Sequence, residues 1–164
     1  MDPAELLQSP LYSRACKNAL RVMERLAAAS MQRPGSVRHP DALAAETGAS
    51  GPALEQAVNL LRLAGLLEKS KAAGGGVRLA RAASRISMLD VVQAIDGAGL
   101  WARCILGLAE CSDEEPCPAH EVWKKTRALL EHQLNSRSMA DLTEAVSRRR
   151  RTRRSGSARA RRLG

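Results

Sequence analysis

Residues 41–80 read DALAAETGASGPALEQAVNLLRLAGLLEKSKAAGGGVRLA, and the order of signals in this stretch decides the fold. Asp41 is a candidate N-cap, Leu43, Ala44 and Ala45 supply packing, and Gly48 closes a short helix over residues 41–47. Ala49-Ser50-Gly51-Pro52 is a turn: Ser50 caps the next helix, and Pro52 is tolerated where the first N–H groups have no helical partner. Leu54, Ala57, Val58, Leu61 and Leu63 give this second helix its apolar positions, and Gly65 stops it. Residues 66–70 and 77–80 have β character, with Gly74, Gly75 and Gly76 as the tight turn between them. A short helix, a tight turn, a second helix and a glycine-tipped hairpin predict a winged helix-turn-helix, mostly α with a small β-hairpin wing.

In that arrangement the second helix enters the major groove and the wing approaches backbone phosphate. Ser50, Glu55, Gln56 and Asn59 form the polar face opposite the Leu54, Val58 and Leu61 stripe, and Arg62 follows them. Side-chain amides suit adenine edges, and a carboxylate accepts from cytosine N4. Lys69, Lys71, Arg78 and Arg81 surround the wing with positive charge. The same helix pair also suits a bundle or a helical protein-interaction module with a polyanion-binding basic tail, in which Glu55 and Gln56 are merely a solvated face.

Outward from this core, Ala15, Ala19, Leu20, Val22, Met23, Leu26 and Ala27 recur at helical spacing over residues 12–31, with Ser13 as the cap. Residues 31–40 read as a polar loop. A further helix spans residues 88–95 and ends at Asp96-Gly97. Residues 97–118 are a loop with three cysteines, and residues 120–146 carry the longest helical pattern, with a candidate interruption at 135–138. Residues 147–164 hold little to bury and are expected to be disordered.

The chain has 164 residues and a formal charge of +9, carried by nine arginines after residue 147; the remainder balances 17 basic against 17 acidic side chains. Phe is absent and Tyr12, Trp101 and Trp123 are the aromatic residues, so the core must be Leu, Ala, Val, Ile and Met, a palette that favours helices. No apolar run approaches the ~18 residues of a membrane span. Asp2, Glu5 and Arg14 interrupt a secretory pattern, and the expected compartment is the reducing cytoplasm. No nucleophile–base pair or metal-hydrolase motif is present, and Gly74-Gly75-Gly76 lacks the Lys-Ser/Thr of a phosphate loop. The expectation is a non-enzyme with no small-molecule substrate.

Cys104, Cys111 and Cys117 are separated by six and then five residues, and His120 follows one helical turn after Cys117. In a reducing compartment such thiols are ligands or reactive groups rather than structural disulfides. Three thiolates and an imidazole complete a shell for zinc or for an iron–sulfur cluster. A thiol–disulfide switch is the metal-free reading. Cys16 lies in an apolar helical pattern and reads as packing; His39 and His132 read as surface residues.

Several segments together resemble one family. They are Asn18-Ala19-Leu20-Arg21, Leu54-Glu55-Gln56, Leu61-Arg62 through Gly65-Leu66, the wing from Gly74 to Ala80, and Leu89-Asp90-Val91-Val92-Gln93-Ala94-Ile95-Asp96-Gly97. Cys117-Pro118-Ala119-His120, Trp123 and Ala140-Asp141-Leu142 complete the set. Over residues 11–146 the chain resembles the IscR/NsrR-type (Rrf) family of bacterial transcriptional regulators. The resemblance implies a homodimer on palindromic promoter DNA, with residues 1–97 as the DNA-binding domain, 98–118 as a cluster-binding loop and 119–146 as a dimerisation helix. It implies a 2Fe–2S or 4Fe–4S cluster on Cys104, Cys111 and Cys117, with His120 at the place of the IscR-type fourth ligand. The NsrR-type fourth ligand, a carboxylate from the partner's first helix, matches Lys17 here. It further implies that redox change, nitric oxide or cluster loss alters the loop before the dimer helix and so the DNA affinity. Structural zinc and a thiol switch remain the alternatives on the same fold.

Overall fold

The computed structural model describes residues 12–70, 75–99, 101–108 and 111–161. Helix α1 (Arg14–Gln32) starts at Ser13, whose hydroxyl accepts from the Cys16 N–H, as the sequence predicts. The Ser13 N–H also donates to Asp96 Oδ2 at 3.0 Å and its hydroxyl to Asp96 Oδ1, which ties the start of α1 to the end of a helix 83 residues later.

Helix α2 (Pro40–Thr47) begins one residue earlier than the sequence reading, with His39 rather than Asp41 at the N-cap. Pro40 explains the difference: its fixed φ suits the first helical position, where its missing N–H costs nothing. Asp41 sits instead in the first turn, where a negative charge faces the positive end of the helix. Gly48 closes α2 at φ +69°. Helix α3 (Gly51–Leu63) has Ser50 at its N-cap, but the Ser50 side chain makes no capping hydrogen bond, contrary to expectation.

Strands β1 (Leu67–Lys69) and β2 (Val77–Leu79) pair antiparallel with Leu67 opposite Leu79 and Lys69 opposite Val77. Leu67 and Val77 point inward. The loop after α1 adds a third element that periodicity does not reveal. Arg38 N–H donates to Val77 O and Val77 N–H to Arg38 O, each at 2.9 Å.

A 3₁₀ turn (Ala83–Arg85) leads into helix α4 (Met88–Asp96), which starts with a reciprocal capping box between Ser87 and Asp90. The 120–146 pattern is two helices, α5 (His120–Asn135) and α6 (Met139–Arg161), broken at the anticipated residues. Ser138 and Asp141 make a second capping box, with the Ser138 N–H 2.8 Å from Asp141 Oδ2. The starts of α4 and α6 are stitched together: Met88 N–H donates to Arg137 O, and Met139 N–H to Ile86 O, both at 2.8 Å.

The expectation of disorder after residue 147 is corrected, because α6 continues to Arg161. Arg and Ala are strong helix formers, and a segment continuing an existing helix needs no nucleus of its own.

Helix α1 is the centre of the molecule and packs on α2, α3, α4 and α6. Its Leu20, Met23 and Leu26 meet Leu43, Leu54, Leu61, Leu66, Val91, Val92 and Met139 in one buried cluster. Cys16 is fully buried in that cluster, as expected, and burial pushes its thiol up to about 12.

Candidate functional site

The candidate nucleic-acid face follows from α3. Its buried Leu54, Ala57 and Leu61 dock on α1, which leaves Ser50, Glu55, Gln56 and Asn59 exposed and Arg62 half-buried. These side chains occupy the face that the sequence assigned to base contacts. On the wing, Lys69 is exposed, and Arg78 is paired across the strands with Glu68, 2.9 Å between Nη2 and Oε2. Arg81 is paired with Asp90 at 2.9 Å. Two of the four expected wing cations are thus held by carboxylates, which was not legible because strand register sets the Glu68–Arg78 pair and the placement of α4 sets the Arg81–Asp90 pair. Lys71 and Gly74 lie outside the described residues.

The cysteine–histidine site is built at the start of α5. The Cys104 and Cys117 sulfurs are 3.6 Å apart, and the Cys111 sulfur is 3.3 Å from His120 Nδ1. Backbone N–H groups of Leu106, Leu108 and Gly107 face the Cys104 sulfur and lower its pKa, as does the neighbouring Cys117 thiol. Burial raises Cys117, and the charges of Cys104 and Cys111 raise it further. Three thiols close enough to feel one another, one of them favoured as thiolate, suit a cationic centre better than an apolar core.

Two contacts hold the loop on the helix. Trp123 Nε1–H donates to Arg103 O at 2.9 Å, next to Cys104, and His120 N–H donates to Cys117 O at 2.9 Å. Trp101 is buried and meets Tyr12 edge-on at 6.4 Å, so the loop also touches the residue two before α1.

Asp113, which no sequence signal singles out, belongs to the same site. In the structure its Oδ1 lies 2.7 Å from His120 Nε2, and Lys124 Nζ lies 2.6 and 2.8 Å from its two oxygens. Hydrogen bonds from Lys124 and then His120 hold the Asp113 carboxyl below its usual range. The missed signal is the spacing of Lys124 four residues after His120, which puts both on one face of α5. Among the described residues, Asp113, His120 and Glu121 also place ligand atoms within 4.8 Å of one another. His39 and His132 are exposed, as expected.

Residues 12–145 match the model of the Rrf2 family, described as an iron-dependent transcriptional regulator. The chain belongs to the Rrf2 family. It is 33% identical over 131 residues to Rv1287 of Mycobacterium tuberculosis, a candidate HTH-type transcriptional regulator, covering 79% of each chain. It is also 33% identical over 89 residues to the HTH-type transcriptional regulator IscR of Vibrio atlanticus, covering 54% of this chain and 51% of that one. The chain thus spans about half the length of that IscR. Among solved structures, T. potens IscR superposes with a TM-score of 0.63 at 25% identity, covering 81% of this chain and 85% of that one. CymR of Staphylococcus aureus superposes at 0.64 with 26% identity, covering 80% and 97%. This Rrf2 chain is therefore a winged-helix transcriptional regulator, which agrees with the fold expected from residues 41–80. No helix among the described residues is long and apolar enough to cross a membrane.

Proposed function

We propose that this Rrf2 regulator binds promoter DNA as a homodimer and that an iron–sulfur cluster on Cys104, Cys111, Cys117 and His120 switches its affinity. The observation that carries the reading is the pairing of Cys104 with Cys117, and of Cys111 with His120, at the start of one helix behind a winged-helix domain. The donor set suits either 2Fe–2S or 4Fe–4S. Backbone N–H groups aimed at the Cys104 sulfur favour the thiolate that ligation needs. A cluster held there would supply one-electron redox chemistry and lability toward oxidants and nitric oxide.

The protein's own part is mechanical. Residues 97–119, which carry the three cysteines, join α4, which packs on α1 and α3, to α5. Drawing Cys104, Cys111 and Cys117 onto His120 fixes the entry to α5, and with it the spacing of two α3 helices in a dimer. Releasing them frees that spacing. DNA affinity changes only by the difference in free energy between the two arrangements.

Helix α5 supports the dimer. Val122 and Leu129, seven residues apart on one face, are 71% and 60% exposed, and Ile105, Leu106 and Leu108 are exposed beside Cys104. Such a patch on a monomer calls for a partner surface, and a second copy supplies it with residues 119–146 as the dimer element. In this account residues 1–97 read DNA through Ser50, Glu55, Gln56, Asn59 and Arg62, with Lys69, Lys71 and Arg78 toward phosphate. Residues 98–118 hold the cluster, and the chain works in the cytoplasm without catalytic activity.

A second reading keeps the same DNA-binding role. The 3.6 Å approach of Cys104 and Cys117 suits a disulfide, formed when a peroxide takes two electrons and two protons from the thiols and leaves as water and an alcohol or as two waters. Structural zinc on the same four residues is the redox-silent version.

The experiment selects a DNA site from random duplexes with anaerobic protein, then measures affinity by fluorescence anisotropy before and after nitric oxide or oxygen. The account expects a change of at least tenfold that Cys104→Ala abolishes. An unchanged affinity with stoichiometric zinc would replace cluster sensing by structural zinc.

A further inference from the structure

His120 is gripped on both sides of its ring. Nδ1 lies 3.3 Å from the Cys111 sulfur, and Nε2 lies 2.7 Å from Asp113 Oδ1. His120 is 3% exposed, while Asp113 sits at the surface. Lys124 Nζ reaches both Asp113 oxygens, at 2.6 and 2.8 Å, from four residues along the same helix. One helix thus carries both the imidazole and the cation that fixes its partner.

A carboxylate clamped by an ammonium can only accept hydrogen bonds. The proton between Asp113 and the ring therefore belongs to Nε2. In the neutral ring this leaves the lone pair on Nδ1, the atom that faces Cys111. Metal-binding histidines recurrently use their second N–H in this way: the carboxylate selects the tautomer and raises the basicity of the ligating nitrogen.

We propose that Asp113, anchored by Lys124, is the positioning residue of the centre and commits His120 to ligation through Nδ1. This rests on the reading of Cys104, Cys111, Cys117 and His120 as a metal centre. The competing geometry is a cation held by Asp113, Glu121 and His120. It would take Nε2 as ligand, on the far side of the ring from Cys111, and leave the thiols out.

The full chain labelled with ¹⁵N in histidine tests this in two states. In the reduced, metal-free protein, long-range ¹H–¹⁵N correlations identify the His120 tautomer, expected to carry its proton on Nε2. After loading with ¹¹³Cd²⁺, coupling between cadmium and nitrogen identifies the ligating atom, expected to be Nδ1, with a cadmium shift in the thiolate-rich range. Asp113→Ala should mix the tautomers and weaken Cd²⁺ binding by about 10- to 100-fold, and Asp113→Glu should restore part of both. Lys124→Met, which leaves the carboxylate in place, should give a smaller loss in the same direction. Coupling to Nε2 in the wild type, or an unchanged tautomer and affinity in a folded Asp113→Ala, would overturn the proposal. A wild type whose cadmium shift lacks thiolate ligands would overturn the metal-centre reading, and the proposal with it.

Discussion

Replacing Gly76 with Ala is expected to unseat the wing. Gly76 has φ +119°, and a Cβ there would stand 2.6 Å from Val37 Cγ1 and 2.9 Å from Arg38 O. The valine methyl can rotate away, but the carbonyl cannot, because it accepts the Val77 N–H at 2.9 Å. Relief therefore means separating β2 from residues 37–38. The backbone conformation alone costs about 1–3 kcal/mol for a residue with a side chain. Losing the two hydrogen bonds of the Arg38–Val77 bridge adds about 0.5–1.5 kcal/mol each. The sum is about 2–6 kcal/mol, read as a lowered urea midpoint at unchanged slope. Gly75→Ala is the control: it shares a positive φ, at +70°, with nothing within 4 Å of the added carbon. It should cost about 1–2 kcal/mol, the left-handed penalty alone. Val37→Ala combined with Gly76→Ala should recover only a minor share, since the carbonyl contact remains. Equal midpoints for Gly75→Ala and Gly76→Ala would refute the close-approach argument.

Glu55→Ala and Gln56→Ala should each reduce discrimination among selected DNA sites by about 1–3 kcal/mol per contacted base pair, measured by competition, with little effect on non-specific binding. Arg150→Ala should lower stability by about 1 kcal/mol or less, because its partner Glu24 is buried but the arginine itself is about half exposed and 3.8 Å away; thermal melts check it. Asp141 is held below its ordinary value of 3.8, chiefly by the Ser138 N–H and then its hydroxyl. The stability it adds is present above that value and lost as pH falls through the folded one. The gap between wild type and Asp141→Ala in urea should therefore close on acidification below pH 3.8. Deleting residues 148–164 should weaken DNA binding and flatten its salt dependence without changing site preference.

The fold was legible because its decisive signals are local. Gly48, Gly65 and Gly97 stop helices, Ser13 starts one, and the Leu54, Ala57 and Leu61 stripe names the face that docks. What was not legible depends on distant partners. The Arg38–Val77 bridge joins a loop to a strand 39 positions on, and neither residue carries a pattern that announces it. Arg150 reads as tail until α6 brings it to Glu24. The four residues Cys104, Cys111, Cys117 and His120 were named from spacing, but their pairing was not, because the path of residues 105–116 sets which sulfur meets the imidazole. Asp113 and Lys124 escaped notice because a surface acid and a surface lysine look ordinary until a buried ring lies beside them.

The most direct test of the central claim is the visible absorption spectrum of anaerobically purified protein, with iron, sulfide and zinc assayed on the same sample. The account predicts absorption between about 320 and 460 nm with matching iron and sulfide, abolished in Cys104→Ala and in Cys117→Ala. A colourless protein carrying one zinc per chain, or one that stays metal-free after anaerobic reconstitution with iron and sulfide, would contradict it.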